Sequence, residues 1–258
     1  MIRSGDLKLC YVGRPRDIFT RRRTGASGGR VKICVISDIH SNLAAFQAVL
    51  KQLPKCDATV CVGDLVGYAA EPNEVVDLVR SKNMKAVLGN HDYGAISRDT
   101  TGFTSIAAKA VLWTTQQLNA ENARYLRGLP EELKFTCGGK KVVAVHGSPR
   151  DPLFEYILPD ISNHELFEVI RDVDADVLLL GHTHVPMVRT IQGKLVVNPG
   201  SVGQPRDWNP RASYMVLTID EEVEVKHERV EYDIEKTAAK IKAAGLPEEL
   251  ATRLHFGW

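Results

Sequence analysis

The chain has 258 residues, enough for one large domain or two small ones, and its 44% hydrophobic and 25% charged residues allow a sizeable core. A formal net charge of +1 gives no support to a general polyanion binder. No apolar run approaches the roughly 20 residues that a membrane-spanning helix needs.

The charge is unevenly spread. Residues 1–30 hold eight Lys or Arg against Asp6 and Asp17, so this leader carries +6 and the remainder −5. It lacks periodicity, ends in Thr24-Gly25-Ala26-Ser27-Gly28-Gly29, and reads as a disordered tail or an over-extended start of the reading frame. A nucleic-acid arm built on Arg21-Arg22-Arg23 is the less favoured alternative. The leader has no apolar h-region, so it is not read as a signal peptide, and cytoplasm is the expected compartment. Residues 31–258 are expected to form one domain. The five cysteines (Cys10, Cys34, Cys56, Cys61, Cys137) are odd in number and show no paired spacing, so no disulfide framework is expected.

Lys32 to Ser37 reads as a buried strand that delivers Asp38-Ile39-His40. Asn42 can cap a helix whose apolar face is Leu43, Phe46, Val49, Leu50 and Leu53. A second strand, Ala58 to Val62, runs into Gly63-Asp64-Leu65-Val66-Gly67, and Pro72 suits the first turn of a helix bearing Val75, Val76 and Val79. Lys85 to Leu88 is a third strand, delivering Gly89-Asn90-His91-Asp92. Strand, helix, strand, helix, strand implies right-handed crossovers and a largely parallel sheet.

Phe103 to Leu129 reads as two helices, the first with a buried stripe of Phe103, Ile106, Ala110 and Trp113. This excursion is either core or the wall of a site. Strands then dominate. Lys134–Cys137 and Lys141–Val145 flank the hairpin signal Gly138-Gly139, and the second ends at His146-Gly147. Ser162 and Glu165 form a capping box. Val177 to Leu180 ends at Gly181-His182-Thr183-His184. Strands follow at Met187–Ile191, Leu195–Val197 and Tyr214–Ile219. Val223 to Arg229 alternates like a half-exposed edge, and a helix from Ile234 to Ala244 and a short one after Pro247 close the chain.

Asp38 and His40 are two apart, as are His182 and His184, so in extended segments each pair presents two ligands to one side. Carboxylate and imidazole donors suit manganese, iron, zinc or cobalt, and the absence of Cys from these motifs argues against a soft-metal site. Alone, Asp64 would be an ordinary turn former; if the motifs converge, it is placed to bridge two metal ions. Five of the eight histidines (His40, His91, His146, His182, His184) follow strand-like runs directly, whereas His164, His227 and His255 do not.

Asp-X-His, Gly-Asp-X-X-Gly, Gly-Asn-His-Asp, a strand-ending His-Gly and Gly-His-X-His, in this order, resemble the signature of the calcineurin-like metallophosphoesterases over about residues 32 to 230. Gly67-Tyr68 with Pro72-Asn73, His146 to Asp151 and Asn198 to Arg206 resemble a small prokaryotic branch with phosphodiesterase and diadenosine-tetraphosphatase-like members. The resemblance implies an α/β fold, a two-sheet β-sandwich flanked by helices. It implies two divalent metal ions, manganese first, with iron, zinc, nickel, cobalt or magnesium as alternatives. One ion would be held by Asp38, His40, Asp64 and His184, the other by Asp64, Asn90, His146 and His182. A hydroxide bridging them would attack phosphorus in line, His91 would protonate the leaving oxygen, and Asp92 would orient the His91 ring. Arg206, Asn42 and Tyr68 are the candidates for binding substrate, although Arg206 also fits a solvated loop and Asn42 a helix cap. The implied partner is a small phosphate ester or nucleotide, with no membrane and no nucleic acid. A protein phosphatase or nuclease of the same superfamily is the alternative, and a non-catalytic scaffold is disfavoured by the presence of His91.

Overall fold

Runs that are apolar at every position, not at alternate ones, belong to strands covered on both faces. In a computed structural model, which describes residues 30–258, such runs build two sheets. The readings made for the leader lie outside the described residues. β1 (Val31–Ile36), α1 (Leu43–Gln52), β2 (Ala58–Cys61), α2 (Pro72–Ser81) and β3 (Lys85–Ala86) come first, followed by α3 (Asn90–Ser97), α4 (Ser105–Gln117) and α5 (Ala120–Arg127). β4 (Glu132–Cys137), β5 (Lys140–Val145), α6 (Asn163–Ile170), β6 (Val177–Leu179), β7 (Met187–Ile191) and β8 (Lys194–Asn198) come next. β9 (Ala212–Ile219), β10 (Val223–Val230), α7 (Ile234–Ala243), α8 (Glu248–Thr252) and a 3₁₀ turn over Arg253–His255 complete the order.

The first sheet runs β10-β9-β1-β2-β3 and the second β4-β5-β6-β8-β7. β1, β2 and β3 are parallel, as expected from their helical crossovers, and β5, β6 and β8 are parallel in the second sheet. Ile33, Val35, Val60 and Val62 meet Val142, Ala144, Val177, Leu179 and Val197 between the sheets. On the outer faces α1 is buried through Phe46 and Val49, α2 through Val75, Val76 and Val79, and α6 through Leu166, Val169 and Ile170. Each such side chain contributes about 1.5–3 kcal/mol by leaving water, so the strands are rigid supports for the loops at their ends. β10 is the edge strand its alternation predicts.

Three expectations need correction. Helix α3 was not anticipated, because its first turn is the polar Asn90-His91-Asp92 and its apolar face is weak. The strand expected to reach Leu88 pairs only over Lys85–Ala86, since the Leu88 N–H donates instead to Pro130 O at 2.8 Å. Cys34 is disulfide-bonded to Cys56, with Cα atoms 6.1 Å apart, while Cys61 and Cys137 are free and buried. Cys34 points to the helix-covered face of β1, where the loop leaving α1 brings Cys56 beside it. A separation of 22 residues carries no local signal of this pairing. No helix among the described residues is long and apolar enough to cross a membrane.

Candidate metal centre

Parallel strands end on the same side, so the segments following β1, β2, β3, β5 and β6 gather at one edge of the sandwich. Backbone hydrogen bonds lock them together: Asp38 N–H to Gly63 O at 3.1 Å, His40 N–H to Asp64 O at 3.0 Å and Gly181 N–H to His146 O at 2.9 Å. Across the two sheets, the His182 N–H donates to Asp38 Oδ2 at 3.2 Å.

The segments are not extended, as the two-residue spacing had implied. Asp38, His40, Asp64, His182 and His184 all have left-handed backbones, with φ from 50° to 67°. Each such residue costs about 1–3 kcal/mol, which the surrounding hydrogen bonds must hold in place. The kinks aim both members of each pair at the same point by turning the chain. Two glycines permit the close approach: a Cβ on Gly89 would meet Asp64 Oδ1 at 2.1 Å, and one on Gly63 would meet His146 Nδ1 at 2.6 Å.

Asp38, His40, Asp64 and His184 form one buried group and Asp64, His146 and His182 a second, with ligand atoms within 4.8 Å of one another in each. Asp64 Oδ2 lies 3.5 Å from His40 Nε2 and 3.3 Å from His146 Nε2, and Asp38 Oδ1 lies 3.2 Å from His184 Nε2. Asn90 Oδ1 adds an amide oxygen 3.1 Å from His146 Nε2. Backbone carbonyls fix the rings. Nδ1–H donates from His40 to Val66 O (3.1 Å), from His146 to Val62 O (2.8 Å) and from His184 to Gln204 O (2.6 Å), leaving Nε2 as the free donor atom. His182 uses the other nitrogen, Nε2–H to Phe154 O at 3.2 Å, which leaves Nδ1 free.

The donor set fits a divalent cation. His40 Nε2 and His184 Nε2 face each other at 3.0 Å, and Asp38 Oδ1 and Asp64 Oδ2 are buried with no hydrogen-bond partner. Two imidazole lone pairs and two orphaned carboxylate oxygens at one point are what a cation satisfies. Burial alone would raise both carboxyls, but imidazoles overcome it: His184 and His146 hold Asp38 down at about 2, and His146 and His91 hold Asp64 well below the usual range. Burial drives His40 far down and His182 to about 3. His146 goes the other way, to about 9: burial is the largest single influence and lowers it, but Asp64, Asp38 and the Val62 carbonyl together overcome it.

A cavity of about 780 Å³ opens on this cluster, lined by Asn90, His91 and His182 and walled by Tyr68, Tyr93, Phe103, Phe154, Tyr156, Arg206, Arg253 and Trp258. His91 is buried, its Nδ1 has no hydrogen-bond partner, and burial pushes its pKa down to about 4. Its backbone N–H donates to Asp64 Oδ1 at 2.9 Å. Arg206 and Tyr68 meet on the wall, Nη2 donating to the Tyr68 hydroxyl at 2.9 Å. The Tyr68 ring centroid is 4.4 Å from that of His91 and 4.5 Å from that of His40.

Two expected residues do other work. Asp92 makes no hydrogen bond to the His91 ring; its oxygens accept from the backbone N–H groups of Leu65 (3.2 Å), Val66 (3.0 Å) and Gly89 (3.1 Å). Adjacent residues in the first turn of α3 point in different directions, so Asp92 caps that helix and pins the loop after Asp64. Asn42 does not line the cavity. Its Oδ1 accepts from Ala45 N–H and the Thr237 hydroxyl, and its Nδ2 donates to Gly203 O at 2.9 Å, so every polar atom is engaged in support.

The longer motifs also buttress. Ser201 Oγ donates to Asp38 O at 2.7 Å, Asn198 Nδ2 donates to Gly181 O at 2.7 Å, and Ser148 and Arg150 both bond Glu155. Sequence reasoning missed Tyr156, whose ring centroid lies 3.8 Å from that of His182, and Phe103 as the wall against His91 at 4.9 Å. It also missed Arg253 and Trp258. No spacing marks these residues; only the excursion from Phe103 to Leu129, which forms α4 and α5, reads as a possible wall.

A family model for the calcineurin-like phosphoesterase superfamily domain matches residues 31–222. An uncharacterized protein of Methanocaldococcus jannaschii is 39% identical over 244 residues, covering 87% of this chain and 98% of its own. The crystal structure of a metallophosphoesterase from Sphaerobacter thermophilus is 39% identical, with a TM-score of 0.76 over 89% of this chain and 100% of that one. The crystal structure of a hypothetical protein from Pyrococcus horikoshii OT3 superposes with a TM-score of 0.79 at 26% identity, over 88% and 99% of the two chains. The chain belongs to the calcineurin-like phosphoesterase superfamily, with the two-sheet α/β fold of the metallophosphoesterases and an Asp/His cluster suited to divalent metal.

Proposed function

We propose that the protein is a dinuclear metal-dependent hydrolase of phosphodiester or phosphoanhydride bonds in small nucleotides. The observation that carries this reading is the pair of ligand groups sharing Asp64, each with a carboxylate oxygen that no protein donor satisfies. Asp38, His40, Asp64 and His184 would hold one cation, and Asp64, Asn90, His146 and His182 the other, with manganese the first choice for this oxygen and nitrogen set. Bound there, the cations would supply charge neutralisation at the phosphate and acidification of water.

The chain's own residues do the rest. The left-handed kinks keep the ligands converged, and the carbonyls of Val62, Val66 and Gln204 keep the imidazole lone pairs directed. Arg206 can neutralise a phosphate oxygen at the wall. His91 would give a proton to the leaving oxygen. With only the protein's charges around it burial keeps the ring neutral, and a phosphate anion in the cavity supplies the negative charge that favours its protonated form. A cavity of about 780 Å³ with aromatic walls suits a small ligand better than a protein loop or a nucleic-acid strand.

The test is a panel of phosphomonoesters, cyclic nucleotides, diesters, dinucleoside polyphosphates and phosphopeptides, compared by kcat/KM on metal-reconstituted protein. A small nucleotide is expected to lead; a strong preference for phosphopeptides would overturn the substrate class.

A further inference from the structure

The cavity wall carries two guanidiniums that the metal-centred reading does not explain. Among the described residues, the partly buried arginines outside the cavity have their charge engaged: Arg229 pairs with Asp207, Arg80 with Glu121, and Arg189 bonds Ile161 O and Asn163 Oδ1. Arg206 and Arg253 have no ion pair among the described residues. Arg206 has only neutral partners, the Tyr68 hydroxyl at 2.9 Å and Gln204 Oε1 at 3.3 Å. Arg253 has its Cζ 5.7 Å from the Trp258 ring centroid, and its Nε is buried without a hydrogen-bond partner. Arg206 and Arg253 line the same cavity, and burial, then the charge of Arg206, pulls the Arg253 pKa below the usual guanidinium range. Asp99 lines the same cavity and Glu249 lies on the helix leading to Arg253, but neither comes within ion-pair distance.

Two partly desolvated like charges without a counterion are unfavourable until an anion joins them. A guanidinium pair matches phosphoryl oxygens in geometry as well as charge. Arg206 stands one ring from the metal cluster, since Tyr68 touches it on one side and packs on His40 and His91 on the other. A substrate with a single phosphorus placed at the cluster leaves Arg253 unsatisfied. One with a second phosphoryl group joined to the first brings another anion into the cavity that Arg206 and Arg253 line. At the mouth, Phe154, Tyr156 and Trp258 are 42%, 54% and 41% exposed and offer faces for a base.

Resting on the phosphoesterase reading, we propose that Arg206 and Arg253 form a second phosphoryl subsite, so that the preferred substrate is a nucleotide containing a phosphoanhydride bond. Water adds to the phosphorus at the Asp/His cluster, the bond to the bridging oxygen breaks, and that oxygen leaves with the bonding electrons on the phosphoryl group held by the guanidiniums. Water is the only co-reactant. Arg206 lies within the residues matched by the family model and Arg253 beyond them, since the match ends at 222, so the carboxyl-terminal segment contributes one of the two guanidiniums.

The test compares kcat and KM of the metal-loaded chain on a dinucleoside tetraphosphate and on thymidine p-nitrophenyl phosphate, for wild type, Arg253→Gln and Arg253→Lys. Calorimetric binding of imidodiphosphate and of inorganic phosphate runs alongside on the metal-free chain. Losing one charge-assisted contact should raise KM for the anhydride about tenfold to a hundredfold with little change in kcat, and shrink its advantage over the diester. Arg253→Lys should recover part of both effects. Wild type should bind imidodiphosphate more tightly than phosphate, and Arg253→Gln should lose that preference. An unchanged preference in Arg253→Gln, or none in wild type, overturns the subsite. If no phosphate compound is turned over, the phosphoesterase reading fails, and the calorimetry still decides the subsite.

Discussion

The two sheets contribute to the metal centre unequally. The first supplies both carboxylates, the amide and one imidazole, through Asp38, His40, Asp64 and Asn90; the second supplies imidazoles only, His146, His182 and His184. The carboxylates bring charge that the protein leaves unmatched, with Asp38 Oδ1 and Asp64 Oδ2 unpartnered. The imidazoles bring direction, each anchored through its other nitrogen to a backbone carbonyl. Charge from one sheet and orientation from the other mean that the site exists only when the sandwich is closed. They also mean that equivalent-looking substitutions on the two sheets should fail differently.

Asp64→Asn should give the largest effect. One carboxylate serves both ligand groups, so turnover should vanish. His146→Ala belongs to one group alone and should leave the other metal bound with residual turnover. Steady-state assays beside metal analysis check the contrast, and equal losses of metal in the two variants would break the division of labour.

His91→Ala should retain metal and slow turnover about 10²–10⁴-fold, the usual worth of a general acid. The loss should be steep for an alkoxide leaving group such as a ribose oxygen and shallow for nitrophenolate. A loss that is the same for every leaving group, together with missing metal, would make His91 a support.

Asp92→Ala should act on stability first, because it strands the N–H groups of Leu65, Val66 and Gly89 in a buried place. Each orphaned donor costs about 1–3 kcal/mol, and each kcal/mol lowers the thermal midpoint by about 2–4 °C in a chain of this size. Asp92→Asn keeps an acceptor and should lose much less. If Asp92→Ala melts like wild type but turns over slowly, the carboxylate acts on His91 after all.

How far the sequence could carry this account follows from where its signals live. The ligands were legible because each motif closes a continuously apolar strand, and parallel strands end together. The left-handed kinks were not, since the same two-residue spacing also fits an extended segment. Helix α3 hid because a helix beginning in Asn90-His91-Asp92 buries polar groups where periodicity looks for apolar ones. Cys34 met Cys56, and Arg253 joined Arg206 on one cavity wall, only through tertiary packing. The chemical roles of Asn42 and Asp92 came from the resemblance alone, whereas the helix-cap reading of Asn42 holds and the polar atoms of both are fully engaged by backbone groups and Thr237.

The most direct measurement is the metal content of purified, reconstituted wild type and Asp64→Asn by elemental analysis. The account predicts two equivalents per chain in wild type and a loss at both positions in the variant. Two equivalents retained in Asp64→Asn with normal turnover would contradict it.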